Sequence, residues 1–130
     1  MANRRIERLN EQFKREITDV LLHDVRDPRV GRVTITDVRA TADLDRARVY
    51  VASMGTADEK REAMEGLRAA STYIRRELSR RLQIRRVPEL DFEWDATLEH
   101  AQRIEQLLRE VRTPPSNETG DRENGEDDAD

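Results

Sequence analysis

Apolar residues recur along this chain with two alternating periods. From residue 4 to 24 the spacing is helical: Ile6, Leu9, Phe13, Ile17, Val20 and Leu21 share one face, with Arg4, Arg5, Arg8 and Arg15 on the other. Pro28 ends any helix at or before Asp27, and Gly31 adds a second break. Val33 to Ala40, rich in Val, Ile and Thr, reads as a strand. A polar link, Thr41 to Arg46, leads to a second strand from Ala47 to Met54, so the two are expected to form an antiparallel hairpin. Asp58 to Leu82 is helical again, capped by Thr56 or Asp58. Gly66 and the run Ala70-Ser71-Thr72 weaken that helix midway, which predicts a bend or a break into two helices. A third strand starts at Pro88, with Leu90, Phe92 and Trp94 facing one way and Glu89, Asp91, Glu93 and Asp95 the other. Thr97 is expected to cap a last helix whose stripe is Leu98, Ala101, Ile104, Leu107, Leu108 and Val111.

After Thr113 the pattern stops. Pro114 and Pro115 end the helix, and the remainder carries seven acids against Arg122. That segment holds a charge of −6, while the whole chain holds −4, so residues 1–112 are at +2. The chain therefore reads as a mildly basic domain over residues 1–112 followed by a disordered acidic tail over 113–130. With few aromatics, the core is expected to be small and mostly aliphatic. There is no cysteine, which excludes disulfides and thiol chemistry. No apolar run approaches the roughly 18 residues of a membrane span. The start of the chain is charged at once, without an apolar stretch of the signal-peptide kind, so the cytoplasm is the expected location and no membrane partner is expected.

The basic charge is concentrated. Arg75, Arg76, Arg80, Arg81, Arg85 and Arg86 stand against one acid, Glu77. If Ile74, Leu78 and Leu82 face the core, Arg76 and Arg80 point away from it, with Arg75 and Arg81 on the flanks. Guanidinium groups match the oxygens of phosphate, so a polyanion is the expected ligand. A solvated helix face explains an arbitrary basic helix about equally well, and it explains the first helix nearly as well, because Glu7, Glu11 and Glu16 are interspersed there.

Other candidate chemistry is thin. His23 and His100 lack cysteine partners and ligand spacing, so they read as surface histidines. The acids of the third strand are explained by strand alternation. No glycine-rich phosphate loop and no nucleophile–base arrangement is visible, so no catalytic residue, metal or cofactor is expected.

The motifs together are more specific than any one of them. They are Ile6-Glu7-Arg8-Leu9-Asn10-Glu11-Gln12, then Asp27-Pro28-Arg29-Val30-Gly31 before Val33-Thr34-Ile35-Thr36-Asp37-Val38, then Ala47-Arg48-Val49-Tyr50-Val51. Ile74-Arg75-Arg76-Glu77-Leu78, Arg81-Leu82, Val87-Pro88-Glu89-Leu90-Asp91-Phe92 and Arg103-Ile104-Glu105-Gln106-Leu107-Leu108 complete the set. In this order and spacing they resemble the bacterial ribosome-binding factor A family, from about Arg4 to Val111. The resemblance implies an α+β, KH type II-like fold, a three-stranded sheet packed on helices in the order α-β-β-α-(kink)-α-β-α. It also implies an interhelical kink, usually Ala-x-Gly, which falls here on Ala70, Ser71 and Thr72, so that threonine replaces the glycine. By the same resemblance the protein is a monomeric, non-catalytic assembly factor for the 30S subunit. It would bind 16S rRNA and precursor particles, promote late maturation including 5′-end processing, and support growth in the cold. The residues expected at RNA are Arg75, Arg76, Arg80, Arg81, Arg85 and Arg86, with Arg4, Arg5, Arg8 and Arg15 secondary. The alternative is a protein-interaction adaptor using the face or edge of the sheet.

Overall fold

The computed structural model describes residues 4–112; the expected acidic tail, 113–130, lies outside the described residues. Helix α1 (Arg4–His23) is followed by a single 3-10 turn (Pro28–Val30), strands β1 (Thr34–Ala40) and β2 (Arg46–Ala52), helix α2 (Ala57–Leu82), strand β3 (Glu89–Trp94) and helix α3 (Ala96–Arg112). The sheet order is β1-β2-β3. The hairpin β1–β2 is antiparallel as expected, and β3 runs parallel to β2.

The expected helix positions on α1 are realised: Phe13, Ile17, Val20 and Leu21 are buried. They meet the inner face of the sheet, where Ile35 and Val38, then Ala47, Val49 and Val51, then Leu90 and Phe92 are buried. Ile35 and Val38 are three residues apart, and a regular strand would send them to opposite faces. A bulge between Ile35 and Asp37 resolves the conflict, so that Ile35 pairs with Val51 and Val38 with Val49. The Thr36 hydroxyl lies 3.2 Å from the Tyr50 carbonyl and 2.7 Å from Asp95 Oδ2. Asn10 of α1 accepts the backbone N–H of Ala40 at 2.9 Å, which ties the helix to the end of β1.

Helix α2 opens on a capping box. The Thr56 hydroxyl accepts the Glu59 N–H at 3.1 Å, and the Glu59 carboxylate accepts the Thr56 N–H at 2.8 Å. Of the bend or break expected at Ala70, Ser71 and Thr72, the break is absent: α2 is one continuous helix of 26 residues. Neither Thr72 nor any glycine among the described residues has a positive φ. Helix propensities differ by only tenths of a kcal/mol among such residues. Burial of Leu67 on one side of the run and of Ile74 and Leu78 on the other outweighs that. Gly66 has a packing role instead: a Cβ there would lie 2.9 Å from Val30 Cγ1 and 3.3 Å from Arg29 Cβ. The absent side chain lets the 3-10 turn lie against α2. Asp27 caps that turn, accepting the Arg29 N–H at 3.0 Å and its guanidinium Nη2 at 2.7 Å.

The described residues divide into two compact units, with the boundary between Asp95 and Ala96. The second contains α3, which begins at Ala96, so Thr97 falls within its first turn rather than at its cap. Its apolar residues Ile104, Leu107, Leu108 and Val111 are exposed.

Candidate nucleic-acid interface

The arginines of residues 75–86 divide into two groups with different work. Arg75 and Arg81, the two flanking positions, are held inside the fold. Arg75 donates from Nε to the Pro88 carbonyl and from Nη2 to the Val87 carbonyl, each at 3.0 Å. Arg81 reaches Asp19 at 2.6 Å, Asp24 at 2.9 Å, Glu16 at 3.1 Å and Glu77 at 3.2 Å, and its side chain is 19% exposed. These hydrogen bonds, those to Asp19 and Glu16 foremost, raise the Arg81 pKa, while the Asp19 carboxyl is held low by Arg81 and, secondarily, His23. Arg81 thus ties α1 to α2, with four of its five N–H donors directed at carboxylates of the fold.

Arg76, Arg80, Arg85 and Arg86 are exposed. Arg80 donates to Glu77, whose carboxyl is lowered first by Arg80 and then by Arg81. The side chains of Arg76 and Arg85 make no hydrogen bond or ion pair among the described residues. Arg86 makes one long contact, 3.4 Å to Asp45.

The turn that carries Arg85 and Arg86 is built by its neighbours. Gln83 ends α2 in the left-handed conformation, at φ 52 and ψ 44. Ser79 donates to the Ile84 carbonyl at 3.1 Å, and Arg75 holds the next two carbonyls in the turn after Arg86. On the other side, the β1–β2 link closes through Leu44 N–H to the Thr41 carbonyl at 2.9 Å. The Asp43 carboxylate accepts the Asp45 N–H at 2.9 Å. Leu44 itself has φ 59, the position where a glycine usually completes such a hairpin loop. Leucine there costs of order 1 kcal/mol.

Between these two turns and the start of α1 lies a cleft of about 500 Å³. It is lined by Arg5, Arg8, Leu9 and Gln12 of α1, by Leu44, and by Gln83, Ile84, Arg85 and Arg86. The fold thus brings two of the four helix-1 arginines together with two of the six from residues 75–86. Arg4 and Arg15 are exposed on α1 outside this lining, and Arg76 and Arg80 are exposed on α2 outside it. Leu9, Gln12, Leu44, Gln83 and Ile84 were not among the residues expected at the interface from the sequence. Leu44 carried a signal, as the only large apolar residue in a link of polar and small ones.

The opposite face of the sheet is an ion-pair ladder. Arg46 holds Asp91 with two hydrogen bonds, 2.6 and 2.8 Å, and Arg48 lies 3.4 Å from Glu93. Arg46 keeps the Asp91 carboxyl below the usual carboxylate range. The acids of β3 are therefore partnered by the arginines of β2. Among the described residues no group of three His, Asp or Glu side chains is arranged to hold a metal ion, and no helix is long and apolar enough to cross a membrane.

The family model for ribosome-binding factor A matches residues 5–108. A ribosome-binding factor A from Halothermothrix orenii is 42% identical over 125 residues, 96% of this chain and all of the relative. One from Acetivibrio thermocellus is 44% identical, covering 82% of this chain and 88% of its own. Among solved structures, the crystal structure of ribosome-binding factor A from Thermus thermophilus superposes with a TM-score of 0.61 at 28% identity, over 68% of this chain and 93% of that one. A Thermus thermophilus homology model fitted into an electron cryo-microscopy map of a 30S complex superposes at 0.57, with 30% identity, over 68% of this chain and 93% of that one. The fold is accordingly the α+β, KH-like one expected, and the chain belongs to the ribosome-binding factor A family.

Proposed function

We propose that this protein is a non-catalytic assembly factor of the small ribosomal subunit, acting in the cytoplasm. It binds 16S rRNA in 30S particles and their precursors, promotes late maturation including processing of the 16S 5′ end, and supports growth in the cold. The observation that carries the reading is the cleft, in which Arg5 and Arg8 from α1 converge with Arg85 and Arg86 beyond α2. Four cations on one concavity suit a phosphate backbone, and phosphate contacts supply most of the affinity of such proteins. Arg76 and Arg80 extend the positive surface along α2, as do Arg4 and Arg15 along α1. The relative fitted into a 30S complex supports the same partner. The adaptor alternative has less support, because the acids that would have served it are already paired with Arg46 and Arg48.

Co-sedimentation with mature 30S, precursor 30S and 50S particles over a salt series tests the reading. The protein should travel with the first two and be lost as salt rises. Equal association with 50S, or no association with any particle, would overturn it. Accumulation of 5′-extended 16S rRNA in cells lacking the protein tests the maturation role.

A further inference from the structure

The cleft contains more than phosphate binding requires. Arginines on an open surface would hold a polyanion, yet here they share the cleft with an apolar lining of Leu9, Leu44 and Ile84. Leu9 and Ile84 pack against the hydrophobic core, so most of that lining is anchored. Two side-chain amides, Gln12 and Gln83, also line it, and neither has a hydrogen-bond partner among the described residues. The two non-glycine residues with positive φ among the described residues, Leu44 and Gln83, are both here. Their unusual backbone turns one apolar and one amide side chain onto the same cleft.

A base-paired helix offers phosphates but keeps its base faces stacked and its pairing edges occupied. An unstacked nucleotide offers three things at once: a phosphate, an apolar ring face, and an edge of donors and acceptors. An amide can both donate to and accept from such an edge. The volume, about 500 Å³, falls within the range of small-ligand sites and has room for one nucleotide.

We infer that this cleft captures a single unstacked nucleotide within an RNA strand, its phosphates on Arg8, Arg85 and Arg86, its base on Leu44 and Ile84, and its edge on Gln12 and Gln83. The inference rests on the reading that RNA is the partner, and it narrows that RNA to an unpaired segment. None of Ala70, Ser71 and Thr72 lines the cleft, so the site is separate from the position of the family's interhelical kink.

Fluorescence anisotropy with a short unstructured oligoribonucleotide, and with the same sequence annealed to its complement, tests it. The single strand should bind roughly tenfold more tightly, as expected for one well-held base. Leu44→Gly removes part of the apolar lining while relieving the positive φ, so the variant should fold; its preference for the single strand should fall to about twofold. Gln12→Leu should lower the preference in the same direction. Adenosine monophosphate should displace the strand only in large molar excess, and displacement at equimolar concentration would overturn the assignment to a strand. Equal binding of single strand and duplex, or an undiminished preference in Leu44→Gly, would overturn the inference. The 30S co-sedimentation of the wild-type chain separates the two readings: if it persists while the oligonucleotide preference is absent, only the nucleotide site is wrong.

Discussion

Arg81 of α2 donates to Asp19 of α1 at 2.6 Å, in the middle of a group of four carboxylates. One guanidinium therefore neutralises acids from both helices. Arg81→Met should leave Glu16, Asp19, Asp24 and Glu77 facing one another without their shared cation, and lower the thermal midpoint by roughly 5 °C. Arg85→Met, which removes a side chain without such partners, should leave the midpoint within about 1 °C. Calorimetry on the two variants checks both outcomes.

Acid should weaken this link and the ion pairs of the sheet. Asp19 is held low by Arg81 and His23, Glu77 by Arg80 and Arg81, and Asp91 by Arg46. A carboxyl whose folded pKa lies below its unfolded one binds fewer protons in the folded state. Its contribution is complete above the unfolded value, near about 4, and is lost as pH falls through the folded value. Urea midpoints should be flat from neutral pH to about pH 5 and fall below it. Arg81→Met should fall less steeply over the same window, since Asp19 and Glu77 then titrate closer to their ordinary values.

Gly66→Ala sets helix propensity against packing. Alanine favours the helix by about 1 kcal/mol. The added Cβ would meet Val30 Cγ1 at 2.9 Å, and Val30 is itself buried. Overpacking of a buried contact costs about 1–3 kcal/mol. The net effect should be a destabilisation of about 1 kcal/mol, read from chemical denaturation; a stabilised variant would show that the 3-10 turn yields freely.

Charge reversal on the cleft should act on binding and spare stability. Arg8→Glu with Arg85→Glu should abolish 30S association at moderate salt. Single Arg→Ala changes at these positions should each reduce the slope of log affinity against log salt by roughly 0.7–0.9. Arg76→Glu with Arg80→Glu should weaken association through the helix face. An adaptor docking by its sheet would survive both double reversals.

Removing the acidic segment after Thr113 should tighten binding to arbitrary RNA, because a charge of −6 then no longer competes for the arginines. Unchanged affinity in a filter-binding assay would assign that segment no part in RNA selection.

The periodic elements of this protein were legible in its sequence. Helical and alternating spacing located both long helices and all three strands to within one or two residues, because burying an apolar face imposes a period that local residues carry. The fate of each arginine was not legible. Arg81 and Arg85 are four residues apart with the same chemistry, yet one is consumed by Glu16, Asp19, Asp24 and Glu77 and the other is not. That difference depends on which helix packs alongside, which no local pattern records. Of the bend or break expected at Ala70-Ser71-Thr72, the break does not occur, for a similar reason: weak propensities yield to the burial of Leu67, Ile74 and Leu78. The bulge at Thr36 was implicit in the spacing of Ile35 and Val38, but only pairing with Val51 and Val49 shows which residue is extra. By itself the sequence determined the family, the elements and the presence of a concentrated basic charge. Tertiary structure alone decided which arginines stay available, and it gathered Arg5, Arg8, Arg85 and Arg86 around Leu44 and Ile84 from segments distant in the chain.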